Sequence, residues 1–201
     1  MPKISRKDNP HLFFFGYACD LICHIQDLKL VLKKTEEIEF EDHSEYEGLI
    51  SDIFPDITRK SFIVSLLIAL EVEFKEFCGL LREIEGHSLK WNELQGSALD
   101  RFICYCEKLS NLKVAKDDAK RQLIKGLFEA RNCIVHNNSS IEFFGKAEEV
   151  IRFVNSVTGI SIENGYLTFS YEACLTCADI MNSFMQDAYD VAIEKYPNNK
   201  D

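Results

Sequence analysis

Only four prolines interrupt the 201 residues, at Pro2, Pro10, Pro55 and Pro197. Proline lacks a backbone N–H and clashes with the preceding helical turn, so this scarcity leaves long stretches open to helix. With 46% apolar and 28% charged residues, the chain can bury a full core. That composition excludes collagen, low-complexity disorder and a small disulfide scaffold. No run of eighteen apolar residues is present to span a bilayer. These features predict an all-α helical bundle in a single domain covering residues 1–201.

Apolar spacing predicts a first amphipathic helix over about 10–34. Lys3, Arg6 and Lys7 ahead of the apolar patch 12–19 have the outline of a secretory leader. Asp20 and His24 break that patch, however, and helical spacing continues through Ile22, Ile25, Leu28 and Val31. A second helix is expected from Thr58, with Thr58 or Ser61 as its cap, through Leu66, Leu70, Phe74 and Phe77 to Gly86. Further helices are expected over 97–109, 116–136, inside 141–157, and at the C-terminal end over 171–195. The total is about five to six. Ile160–Glu163 and Tyr166–Phe169 alternate around Asn164-Gly165, which predicts one small β-hairpin within 160–169.

The formal charge is −10, but it is unevenly spread. Residues 36–56 hold nine acids and no Lys or Arg, whereas 113–136 hold six bases against three acids. The acidic run reads as a solvated loop or helix face. Because a polyanion responds to the local field of a cleft, the net charge disfavours a general nucleic-acid binder yet admits a confined anionic substrate.

Eight cysteines are present, but Cys174/Cys177, Cys104/Cys106 and Cys19/Cys23 do not form the paired spacing of a structural zinc site. Most lie in apolar runs and read as reduced core thiols of a cytoplasmic protein. No metal or cofactor is expected. His11, His24, His43 and His87 follow no ligand pattern, and the nine glycines make no phosphate-cradling loop. Trp91, the single tryptophan, reads as packing a helix start.

The fourth helix carries an anomaly. Ile124, Leu127, Phe128, Ile134 and Val135 fall on one face at about 100° per residue, and Arg131 stands in the middle of it. A guanidinium there is costly unless paired or hydrogen-bonded. Pairing with Glu71 or Glu73 is one explanation, with His136 capping carbonyls. Beside that face run Lys125, Glu129, Asn132 and His136, spaced as helical neighbours. The segment 131–136 thus brings a cation, an amide and an imidazole to one helix end.

The run Arg131-Asn132-Cys133-Ile134-Val135-His136-Asn137 resembles the R-x4-6-H motif, in its RN-x3-H form, of the HEPN superfamily of small helical bundles. Direct resemblance covers these seven residues. It implies a metal-independent endoribonuclease of a toxin–antitoxin or antiviral defence system, with Arg131, His136 and Asn132 as catalytic residues. The resemblance also implies a homodimer, so that RNA is cut by 2′-hydroxyl attack in a cleft shared by two protomers. Lys125 and Asn137 flank the motif as candidates for binding substrate. The superfamily includes inactive members, so the alternative expectation is a regulatory, scaffold or nucleotide-binding protein with an antitoxin or other defence partner.

Overall fold

The computed structural model describes residues 6–38, 47–114 and 117–197. Among them six α-helices and one hairpin follow in the order α1 (Pro10–Glu36), α2 (Glu47–Glu85), α3 (Ala98–Cys104), α4 (Asp118–Asn137), α5 (Ala147–Ser156), β1 (Ile160–Glu163), β2 (Tyr166–Phe169) and α6 (Tyr171–Lys195). A single 3-10 turn at Trp91–Glu93 precedes α3, and one π-helical turn at Tyr105–Leu109 follows it. The protein is an all-α bundle carrying a small antiparallel hairpin, as expected.

The largest departure lies in α2, which begins at Glu47 rather than at Thr58 and contains Pro55. Proline forfeits one N–H bond, a single loss in a helix of 39 residues. Thr58 is therefore no cap: its hydroxyl donates to the Pro55 carbonyl at 2.9 Å. Residues 47–56 of the acidic run are thus helical, and 39–46 lie outside the described residues. Asp56 pairs with Lys60 at 2.6 Å, and Glu36 takes Arg59 through both carboxylate oxygens. The end of α2 is as expected, with Gly86 at φ +75° and its N–H on the Arg82 carbonyl at 2.9 Å.

Local chemistry sets the other boundaries. Ser97 and Asp100 exchange side-chain-to-backbone bonds in a capping box at the start of α3. The Asp117 carboxylate accepts from the N–H groups of Ala119 and Lys120 at the start of α4. Asn164 and Gly165, at φ +51° and +83°, make the tight turn that matches strand twist, pairing Ile160 with Phe169 and Glu163 with Tyr166.

The chain falls into two compact units, one of residues 1–23, 69–121 and 181–201, the other of 24–68 and 122–180. An aromatic cluster centres the first: Phe74 stacks on Phe102 at 4.2 Å, and Phe77 meets Phe14 at 5.1 Å and Tyr189 at 5.3 Å. The second is built on Leu66, Leu67, Ile124, Leu127, Val150, Leu167, Ala173 and Cys177, all fully buried. All eight cysteines are free. Five are buried, and burial pushes the Cys174 thiol up to about 12, which makes it unreactive. Cys19 and Cys23 depart from the core expectation because they stand on the exposed side of α1. Among the described residues no helix is long and apolar enough to cross a membrane.

Within the first unit Glu73 accepts the Tyr189 hydroxyl. That bond favours the ionised carboxylate, but burial outweighs it and, with the charges of Glu76 and Asp20, raises the carboxyl from 4.5 to about 7. The folded state therefore binds this proton more tightly than the unfolded chain. The stability it contributes is complete below pH 4.5 and lost as pH rises towards 7. Between pH 5 and pH 8 the expected loss is on the order of 2 kcal/mol. Glu73→Gln keeps an acceptor for Tyr189 and should flatten this dependence in urea melts at the two pH values.

Candidate functional site

The last two turns of α4 carry the motif. Burial along this helix swings from one side to the other. Ile124, Leu127 and Phe128 are buried in its first half, whereas Ala130 and Cys133 take over in its second. Ile134 is only half-buried and Val135 is 49% exposed, so the apolar face drawn through Ile124, Leu127, Phe128, Ile134 and Val135 is not one core stripe. The cause is the chain's return. Asn138 and Ser139, at φ +49° and +66°, reverse the backbone, and the Ser139 N–H bonds the Cys133 carbonyl at 3.0 Å. Residues 139–141 then run beside β2, with the Leu167 N–H on the Ser139 carbonyl at 2.8 Å and the Ile141 N–H on the Gly165 carbonyl at 2.9 Å. This returning segment, joined to β2 by an isolated bridge between Ser140 and Tyr166, covers the Cys133 side and leaves the Val135 side open.

Four polar side chains form a chain of contacts at this end. Arg131 is half-buried, and its Nη1 donates to Asn132 Oδ1 at 3.1 Å. Asn132 Nδ2 donates to Glu129 Oε2 at 3.3 Å, and Lys146 Nζ donates to Glu129 Oε1 at 2.5 Å. Glu129 is the buried member, its side chain 6% exposed against 56% for Lys146. A carboxylate so removed from water needs a cation and hydrogen bonds, and here it has both. Through Asn132, Glu129 also fixes one side of the Arg131 guanidinium. The unit is a cation held by an amide that a buried ion pair holds in turn.

The remaining expected residues stand apart from that chain. His136 is exposed, in the last turn of α4, and its ring makes no hydrogen bond to a described residue. Both polar atoms of Asn132 are engaged elsewhere, so Asn132 does not orient His136. Asn137 Nδ2 donates to the Ser140 carbonyl at 2.5 Å and ties down the reversal after α4. Lys125 is exposed and two turns away. The residues that sequence reasoning left without a role are Glu129 and Lys146. Glu129 had a signal, three positions before Asn132 on the same stripe. Lys146 lies in a loop without periodicity and had none.

Among the described residues no group of three or more His, Cys, Asp or Glu is placed to hold a metal ion. Comparison with family models, with curated proteins and with solved structures finds no match for this chain. Fold and site together define an all-α bundle with a hairpin, whose late helix carries an anchored arginine and, in its last turn, an exposed imidazole.

Proposed function

We propose that the protein is a metal-independent endoribonuclease whose site is completed by a second copy of the chain. The observation that carries this reading is the end of α4, where Arg131 is held through Asn132 by the Glu129–Lys146 pair while the His136 imidazole stands in solvent. A fixed guanidinium suits the developing charge on a phosphorane, whose oxygens its planar fork can hold. An exposed imidazole can take the 2′-hydroxyl proton as the 2′-oxygen attacks phosphorus. A second imidazole gives its proton to the departing 5′-oxygen, leaving a 2′,3′-cyclic phosphate. One protomer supplies one such imidazole at this site, and a two-fold pairing of α4 ends supplies two. The open Val135 side is the apolar surface available for that pairing.

The test is incubation of the purified protein with tRNA in excess EDTA. Fragments ending in 2′,3′-cyclic phosphate are expected, together with a dimer by sedimentation at micromolar concentration. Intact tRNA would end the proposal, and cleavage by a strict monomer would end its shared-site part. One observation favours the second reading, a non-catalytic regulatory or scaffold protein of a defence or toxin–antitoxin system. The amides of Asn132 and Asn137 are spent within their own chain, which suits a structural helix end. The same incubation separates the two.

A further inference from the structure

The first unit contains a recess that the α4 motif does not use. One face of α2, bearing Lys75, Gly79 and Arg82, and the 3-10 turn that starts at Trp91 line a cavity of about 310 Å³, within the range of small-molecule sites, roughly 300–1,000 Å³. Its charge runs against that of the chain. Arg6, Lys75, Arg82 and Lys90 line it, opposed by Glu76 and Glu83, in a protein of net charge −10. Glu83 is already neutralised, since Arg6 holds both its oxygens at 3.0 and 3.1 Å. The side chains of Lys75, Arg82 and Lys90 make no ion pair with any described residue. An adjoining open recess of about 520 Å³ shares Arg6 and Arg82 and adds Lys7 and His87.

The wall of the cavity is aromatic. Trp91 has the Arg101 guanidinium 4.3 Å from its ring centroid. The indole Nε1 and the Arg101 Nε are both buried without a hydrogen-bond partner among the described residues. The floor is open as well: a Cβ added at Gly79 would meet nothing within 4 Å. Three cations without an ion pair and a flat ring around one small cavity call for a compact anion that carries its own flat ring.

We propose that this cavity binds a nucleoside monophosphate, with the phosphate among Lys75, Arg82 and Lys90 and the base beside Trp91. The cations supply charge-assisted bonds to phosphate oxygens, Arg82 through a planar fork. The indole supplies the apolar surface on which a heterocycle packs. This inference does not rest on the ribonuclease reading, and its test involves no RNA.

Because Trp91 is the only tryptophan, its fluorescence reports on this cavity alone. Titration of the whole protein with AMP is expected to give a saturating change with a midpoint below 1 mM. Adenosine and inorganic phosphate should each bind at least 10-fold more weakly than AMP. Gly79→Leu fills the floor with a better helix former and should abolish the response. Arg82→Gln should raise the AMP midpoint about 10-fold, and it decides the matter if Gly79→Leu proves unfolded by circular dichroism. No saturable signal with AMP, confirmed by calorimetry, overturns the proposal, as does undiminished binding by Arg82→Gln. Phosphate or adenosine binding as tightly as AMP overturns it equally, because one half of the ligand would then be irrelevant.

Discussion

His136→Ala is expected to slow RNA cleavage by about 10²–10⁴-fold, the range for loss of a positioned general acid or base. The same substitution should leave the melting temperature unchanged, because the ring is exposed and makes no hydrogen bond to a described residue. That combination separates a chemical role from a structural one. Arg131→Ala is expected to cost about 10²–10³-fold in rate through lost charge stabilisation, and some stability besides, since its Nη1 bonds Asn132. Arg131→Lys should not restore the rate, because an ammonium cannot present two fixed donors to one phosphate. Lys125→Ala, two turns away on the exposed side, should change the rate less than about 5-fold. Full cleavage of tRNA by His136→Ala would remove the catalytic assignment.

Much of the fold was legible because local chemistry and global packing agree in it. The hairpin follows from Asn164-Gly165, the one dipeptide in that stretch suited to two successive positive φ values. Helix α6 follows from uninterrupted apolar spacing. Legibility failed where a local rule met a longer-range cause. Pro55 reads as a boundary, yet α2 runs through it, because one missing N–H bond is a small loss in so long a helix. Periodicity put Val135 with Ile124 and Phe128, on a face whose burial is decided by what lies over it. The returning segment 139–141 covers the Cys133 side, nearly opposite Val135 on the helix. For the site, the cation, amide and imidazole could be read from spacing. The anchor that holds the cation could not, because Lys146 reaches Glu129 from 17 residues away across a loop.

That anchor depends on how closely α5 approaches α4, and the closeness rests on one glycine. A Cβ built at Gly126 would lie 2.6 Å from the Phe153 Cβ and 2.8 Å from two of its ring atoms, distances that real side chains do not adopt. Gly126→Ala gains about 1 kcal/mol of helix propensity but must push α5 outwards, loosening Phe153 and Val150, which are 3% and 0% exposed. Overpacking of this kind, met at the root of a buried phenylalanine side chain rather than at a flexible tip, should leave a net loss of about 2 kcal/mol. Urea denaturation of the variant measures it directly. Shortening the neighbour as well, in Gly126→Ala/Phe153→Ala, should not rescue the loss, because the nearest atom is a Cβ that alanine retains. The consequence reaches the site through a stated route. Lys146 is the residue that opens α5, so moving that helix moves the ammonium away from Glu129. A buried carboxylate deprived of its cation is left uncompensated, which disturbs the bond it accepts from Asn132 and, through it, one contact of Arg131. Gly126→Ala should therefore lower the RNA cleavage rate even at a temperature where the variant is fully folded. A variant with wild-type stability and rate would show that α5 does not sit tightly on α4 and that the Glu129–Lys146 pair does not position the arginine.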